Sequence, residues 1–308
     1  EPACSLQALA AQSQLSPQAV MTALDGLSAQ GFKLHWEAQD VVRLEGSVDW
    51  LQIADFAALA AQPQPPSVDL RLEVGSSNDE LLARARGASV HNHVLLAECQ
   101  TSGRGRRGRT WISPVAHNLY LSMGWEFPGG VGAMGGLSLA VGAAIADALE
   151  ARFGAAIELK WPNDLYLDGA KLGGVLIDVA GDPAGPSTAV IGVGLNVGMP
   201  AEAAQQIDQS WTSLASKVVE PLARSAVADT VLAALHQLLR GYAEQGFAAW
   251  RDRWQARDML WGQRVNVTGS QATTGSGAGV DLQGALRVAT EGGYELIQAG
   301  DVTLRKAG

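Results

Sequence analysis

Four arginines and three glycines alternate through Gly103-Arg104-Gly105-Arg106-Arg107-Gly108-Arg109-Thr110-Trp111, just after an apolar run that ends at Cys99. Glycines let a backbone wrap closely around a ligand, and arginines present forked donors that match phosphate or carboxylate. No Gly-Lys-Ser/Thr follows, so this is not a Walker phosphate loop. On composition alone the segment reads equally well as a solvated basic loop or an RNA-binding patch. A second group supplies lysines: Lys160-Trp161-Pro162-Asn163-Asp164 ends one predicted strand, and Lys171-Leu172-Gly173-Gly174 enters the next. Two lysines bracketing a tight turn can meet one ligand from opposite sides. Asp164 can pair with a lysine, orient an arginine or help hold Mg2+. The competing reading is an ordinary hairpin whose surface ion pairs contribute little. Third, Gly192-Val193-Gly194-Leu195-Asn196-Val197 sets an amide at the end of a buried strand, a weak signal by itself.

These groups need elements to hold them. Leu119 to Phe127, Ile157 to Trp161, Val175 to Val179 and Ala189 to Val193 are predicted strands. Leu137, Val141, Ile145, Leu149 and Phe153, spaced four apart, predict a helix with a core-facing stripe. A short helix is expected over Glu80 to Arg86, preceded by a polar turn, Gly75-Ser76-Ser77-Asn78. Further helix runs from Ala226 to about Asp258 with a break near Gly246. Short strands with Gly-rich turns from Gly262 to Gly308 predict a compact barrel of about five strands. At the other end, Leu6 to Ala11 forms a short helix. Ser16-Pro17 gives an N-cap and a first-position proline, and Val20, Leu24 and Leu27 repeat at helical spacing up to Gly31. Lys33 to Glu37 and Val41 to Glu45 flank a hairpin turn. Helix, turn, helix, hairpin is the winged helix-turn-helix order. Gln62-Pro63-Gln64-Pro65-Pro66 reads as a linker. The division expected is 1–62, a linker 63–67, 68–261 and 262–308.

Composition narrows the classes. The 308 residues hold 31 acids and 22 Lys or Arg, a net charge of −9, which disfavours a general nucleic-acid coat. Hydrophobic residues make up 47%, which excludes wholesale disorder. Cys4 and Cys99 form no Cys-x-x-Cys pair, so neither a disulfide framework nor a cysteine zinc site is expected. His91-x-His93 has ligand spacing, and on a strand the two would share a face, but no third ligand is apparent. The most apolar stretch, Gly135 to Leu149, reads as too short to span a bilayer, and no basic-then-apolar leader opens the sequence. The expectation is a cytoplasmic protein.

In order and spacing, the arginine loop, Lys-Trp-Pro-Asn-Asp, Lys171-Leu172-Gly173-Gly174-Val175 and Gly192 to Asn196 resemble the biotin protein ligase family. Ser76-Ser77-Asn78 and the Ala97-Glu98-Cys99-Gln100 approach to the loop fit it too, with Ser77 where many relatives carry Thr. The resemblance runs from about residue 68 onward, and more weakly over the N-terminal unit of the BirA-like bifunctional members. It implies an α+β protein: an N-terminal winged helix-turn-helix, a central mixed β-sheet with helices of class II synthetase-like form, and a C-terminal SH3-like β-barrel.

It implies a two-step reaction. Biotin's carboxylate attacks the α-phosphate of ATP, giving biotinyl-5′-AMP and pyrophosphate. A lysine of a biotin carboxyl carrier protein, the acetyl-CoA carboxylase subunit, then takes the biotinyl group and releases AMP. Catalytic roles are implied for Arg104, Arg106 and Lys171. The biotin side would be Ser76, Ser77, Asn78, Gln100, Arg104, Gly105, Arg106 and Lys171. The nucleotide side would be Arg109, Trp111, Asn163, Asp164, Asn196 and Trp211, with Mg2+ near Asp164. Two anions must meet, which positive charge at their junction favours. An acyl-adenylate hydrolyses in water, so the arginine loop is expected to be mobile until ligand closes it.

Some family members also repress transcription. Here Glu1 to Phe32 holds no Lys or Arg, and through Pro66 Lys33 and Arg43 stand against seven acids. The candidate recognition helix, Pro17 to Gln30, offers Gln18, Thr22, Ser28 and Gln30 to bases, while Asp25 would face phosphate, so operator binding is disfavoured. Alternatives are a lipoate–protein ligase and a pure transcription factor. Dimerisation through a sheet edge stays open.

Overall fold

The computed structural model describes residues 3–181, 185–218, 222–269, 272–299 and 302–306. Ser5 and Ser16 each accept a backbone N–H three residues on, at 3.1 and 3.2 Å, and so open α1 (Leu6–Ser13) and α2 (Pro17–Ala29). A hairpin of β2 (Leu34–Ala38) and β3 (Val41–Leu44) follows, and β1 (Cys4–Ser5) adds to β3. Ala10, Val20, Leu24 and Val42 form a small core of their own. Leu51, Phe56 and Leu59 do not join it; they belong to the large core of the molecule. The short helix α3 (Ala57–Ala60) is held there by Asp229, whose carboxylate accepts the N–H groups of Ala58 and Leu59 at 2.9 and 2.7 Å. The change of core thus falls before Leu51, and the prolines of 62–66 separate α3 from the next strand rather than one core from another.

Seven strands make the central sheet: β4 (Ser67–Val74), β5 (His93–Gln100), β6 (Leu119–Phe127), β7 (Glu158–Lys160), β8 (Asp164–Leu167), β9 (Ala170–Gly181) and β10 (Ser187–Leu195). Their order is β4-β5-β6-β10-β9-β8-β7, with β4 and β5 parallel and the other pairs antiparallel. The sheet is therefore mixed, as expected. A parallel pair needs a crossover, supplied by α4 (Ser77–Ala85). Helix α5 (Leu137–Phe153) has the bounds its sequence predicts and ends at Gly154, where φ is 69°. Its burial is wider than a stripe: Leu139, Ala140, Ala143 and Ala146 are buried as well, because α5 lies between the sheet and α7 (Arg224–Gln245). With the turn before it, the helical run Val131–Phe153 is 23 residues and long enough to cross a membrane, so length does not exclude that role; half of its most apolar 18-residue stretch is buried inside the protein.

After α7 the chain breaks at Gly246 as predicted and continues in α8 (Arg251–Gln255). Five antiparallel strands then form the C-terminal sheet: β11 (Arg264–Gly269), β12 (Thr273–Val280), β13 (Leu286–Thr290), β14 (Gly293–Ile297) and β15 (Val302–Lys306). Val265, Val280 and Leu286 merge with the large core.

Asp258 sits at this junction, where Leu159 and Asp258 form a β-bridge. One carboxylate oxygen accepts Leu260 N–H at 3.0 Å; the other is buried with no partner. Burial pushes this carboxyl up to about 6. The native state therefore holds the proton more tightly than the unfolded chain, and stability falls as pH rises from about 4 through about 6. Asp258→Asn removes that dependence. It is expected to stabilise the protein by about 3 kcal/mol at pH 7.5 relative to its effect at pH 4, read from urea unfolding at both values. An effect equal at the two pH values would exclude this role.

Candidate active site

Ser76-Ser77-Asn78 is not a free turn. Ser76 is the N-cap of α4, its Oγ accepting Asp79 N–H at 3.4 Å, so the helix begins three residues earlier than the sequence suggests. The parallel register sets Val74 beside Gln100, which brings the α4 start to the end of β5. There Gln100 Oε1 accepts Ser77 N–H at 2.8 Å, and Ser122 Oγ on β6 lies 2.7 Å from Ser77 Oγ and 2.6 Å from Asn78 Oδ1. Gly192 on β10 makes room: a Cβ there would come within 2.2 Å of Asn78 Oδ1.

The arginine loop folds back on itself. Gly105 N–H reaches Arg109 O at 2.7 Å, and Trp111 N–H reaches Gly103 O at 2.8 Å. Arg104 pairs with Asp79 and Asp178. Arg106 is more deeply set and reaches Asn163 Oδ1 at 3.4 Å. Its burial lowers the guanidinium pKa, an effect that nearby Asp164 opposes.

The two lysines do not bracket one turn. Residues 161–163, with a cis Trp161–Pro162 peptide, turn β7 into β8, and β8 intervenes before Lys171. Lys171 Nζ nevertheless meets Asp164 Oδ1 at 2.8 Å and lies 5.7 Å from the centre of the Trp111 ring. That ring packs on Gly194, where a Cβ would come within 2.6 Å of it. Thus the glycine pattern of β10 clears space for Asn78 through Gly192 and for Trp111 through Gly194. Asn163 donates to Val175 O at 2.8 Å and so ties the β7–β8 turn to β9.

One cavity of about 660 Å³ gathers Ser76, Ser77, Asn78, Gln100, Arg104, Gly105, Arg106, Arg109, Trp111, Asn163, Asp164 and Lys171. Asn196 and Trp211 line a small adjoining pocket that shares Trp111 and Lys171 with it. The loop bearing Trp211 is fixed by backbone pairing with Lys171: Thr212 N–H to Lys171 O at 2.9 Å, and Lys171 N–H to Ser210 O at 3.1 Å. Asn196 donates to Thr212 O at 3.0 Å, leaving its Oδ1 buried and unpartnered, as is Trp111 Nε1. Unpartnered buried polar atoms at one end of a cavity are what a ligand's own donors and acceptors would satisfy.

Sequence reasoning missed Asp79, Asp178, Ser122 and Tyr166. Tyr166 lines the cavity, and burial raises its phenol to about 12, so it is a donor at neutral pH. His91 and His93 do not share a strand face, since β5 begins at His93; His93 meets Ser67 Oγ at 2.6 Å, and His91 accepts Glu126 N–H at 3.1 Å. Among the described residues no three His, Cys, Asp or Glu side chains are grouped to hold a metal ion. Asp164 is the one predicted metal contact, and its partner here is Lys171.

Amide and hydroxyl groups thus line one end of the cavity and aromatic rings the other, with guanidinium and ammonium groups between them, an arrangement suited to an anionic ligand. Comparison with known proteins specifies it further. Residues 84–196 match the biotin/lipoate A/B protein ligase family, and residues 261–305 match the biotin protein ligase C-terminal domain. The bifunctional ligase/repressor BirA of Escherichia coli is 33% identical over 258 residues, covering 83% of this chain and 80% of the relative. The biotin–[acetyl-CoA-carboxylase] ligase of Mycobacterium tuberculosis is 36% identical over 251 residues, covering 76% and 88%. The structure of the Aquifex aeolicus biotin protein ligase in complex with biotin and ATP aligns with a TM-score of 0.68 at 27% identity, over 78% of this chain and 99% of that one. The chain belongs to the biotin protein ligase family.

Proposed function

We propose that this protein activates biotin with ATP to biotinyl-5′-AMP and transfers biotin to a lysine of a biotin carboxyl carrier protein. The convergence of Arg104, Arg106 and Lys171 on one cavity between Gln100 and Trp111 carries the reading. Biotin lies toward Ser77, Asn78 and Gln100, and the nucleotide toward Arg109, Trp111, Asn196 and Trp211, with the carboxylate and α-phosphate meeting at Arg106 and Lys171. Mg2+ bound with the triphosphate would offset its charge, and Asp164, paired with Lys171, is the side chain that would reach it. The arginine loop acts as a lid that keeps water from the acyl-adenylate. In the test, protein, ATP, Mg2+ and a purified carrier domain are mixed with biotin or lipoate, and carrier mass is read by mass spectrometry. A biotin-dependent gain on one lysine supports the proposal, whereas a gain with lipoate alone moves the activity to the sister reaction.

For the N-terminal unit, which has the element order of a winged helix, we read a brace rather than an operator-binding domain. Gln30, one of the amides available to bases, instead accepts Val115 N–H at 3.0 Å. Phe32 packs against His117 with ring centres 5.3 Å apart, and a Cβ on Gly31 would come within 2.4 Å of Pro200. The contacts bear on 113–118, which follows the arginine loop, and on Pro200, which precedes the Trp211 loop. On this reading the first unit ends between Leu44 and Leu51, before residue 62. A gel shift with biotin, ATP and the DNA upstream of the protein's own operon is expected to show no sequence-dependent retardation. A shift that survives moderate salt would overturn the brace reading.

A further inference from the structure

The arginine loop and the start of α4 come from separate stretches of chain, yet they meet on one carboxylate oxygen. Asp178 Oδ2 on β9 accepts from Asn78 Nδ2 at 3.0 Å and from Arg104 Nη2 at 2.8 Å. Asp79 accepts Arg104 Nε and Nη2 at 3.0 and 2.5 Å. Neither acid lines the cavity. We propose that Asp178 is a positioning residue for biotin: it fixes the Asn78 amide and, with Asp79, latches the arginine loop onto α4 and β9. The inference rests on reading this cavity as the biotin site.

The amide argument is one of donors and acceptors. Asn78 is 4% exposed, and both of its polar ends are engaged. Its Oδ1 faces Ser122 Oγ at 2.6 Å, while Nδ2 donates to Leu176 O at 3.1 Å and to Asp178. Flipping the amide would aim its oxygen at a carbonyl and a carboxylate, neither of which can donate. Asp178 and the Leu176 carbonyl therefore together set which way Asn78 points. That setting extends through Ser122 to Ser77, whose N–H holds Gln100 Oε1, so one acid behind the cavity orders a row of polar groups along its wall.

The charge argument concerns Arg104. Two carboxylates surround one guanidinium, so its charge is offset before a ligand arrives. Arg104, held by two carboxylates, thus fastens the loop, while Arg106 and Lys171, the latter paired with the single carboxylate of Asp164, are left to meet the biotin carboxylate. This distinguishes roles that the sequence assigned to the three residues together.

The test compares wild type, Asp178→Asn and Asp79→Asn in biotin-dependent ATP–pyrophosphate exchange. Asp178→Asn keeps the shape and one acceptor oxygen but removes the negative charge that both donors share, so the bonds to Asn78 and Arg104 weaken. Its biotin KM is expected to rise about tenfold to a hundredfold, with the ATP KM changed by less than about twofold. In Asp79→Asn, Asn78 is untouched and the biotin KM rises less. Trypsin is expected to cut between Arg104 and Arg109 faster than in wild type in both variants without ligand. A folded Asp178→Asn with unchanged biotin KM, or with equal rises for biotin and ATP, overturns the proposal. If Asp178→Asn does not fold, Asp79→Asn decides through the tryptic rate, and cutting no faster than wild type overturns the latch. Wild-type protein without biotin-dependent exchange removes the biotin reading itself, and this inference with it.

Discussion

Lys171→Met is expected to slow biotin-dependent ATP–pyrophosphate exchange by about 10²- to 10³-fold, the cost of losing one preorganised group at the point where charge develops. Lys171 is buried apart from 14% of its side chain and lies between Asp164 and the Trp111 ring, where the two halves of the cavity meet. A carboxylate and an α-phosphate repel as they approach, and a low-dielectric wall strengthens that repulsion. The ammonium group opposes it, and methionine of similar length does not. The substitution also leaves the Asp164 carboxylate without its 2.8 Å partner, adding a negative charge where positive charge is needed. Two consequences follow from this arrangement. The turnover number should fall more than the biotin KM rises, because the group is needed most as the two anions come together. Lys171→Met combined with Asp164→Asn should exchange faster than Lys171→Met alone, because the stranded carboxylate has gone. A single variant within about tenfold of wild type would exclude Lys171 from the chemistry.

The candidate site residues were legible through the order and spacing that carry the family resemblance, since the glycine-arginine loop, the two lysines and the strand-end amide each also read as a basic loop, a hairpin or a common strand end. β6 and α5 were legible because their apolar runs end at clear stops, Pro128 and Gly154. β8 was not, because four residues between Pro-Asn and Asp-Gly look like the turn they adjoin. β4 alternates Val68, Leu70, Leu72 and Val74 with Asp69, Arg71 and Glu73, an edge-strand pattern that a reading for apolar runs passes over. Nothing local marks Asp79, Asp178 or Ser122. Which carboxylate meets Arg104 is decided by strand order, since β9 lies two strands from β6 only after β10 has inserted between them. The same holds for the core boundary: the apolar side chains of Leu51, Phe56 and Leu59 are visible in the sequence, but what holds their segment is distant, Glu98 for Leu51 N–H and Asp229 for the N–H groups of Ala58 and Leu59.

Arg224→Met is expected to cost about 3–5 kcal/mol of stability, the largest loss from one substitution proposed here. Arg224 and Glu98 are 3% and 4% exposed and pair at 2.8 Å. The guanidinium also donates to Asp49 O at 2.7 Å and twice to Asn118 O, at 3.0 and 2.8 Å; Glu98 accepts Leu51 N–H at 2.8 Å. One buried cation therefore joins α7 to the segment entering the large core, to β5 two residues before Gln100, and to the loop before β6. Removing it strands a carboxylate out of water with a single N–H partner, and leaves two backbone carbonyls short of donors. The penalty should come mainly from the orphaned charge rather than from lost packing, because methionine refills much of the volume. Arg224→Met with Glu98→Gln is therefore expected to recover about half of the loss, since the neutral amide still accepts Leu51 N–H without a buried charge. Urea unfolding of the two single variants and the double variant separates these contributions. If the double variant is no more stable than Arg224→Met, the stranded charge is not the cause and the carbonyls of Asp49 and Asn118 carry the cost. If Arg224→Met loses less than about 1 kcal/mol, the cluster does not fasten these three segments together.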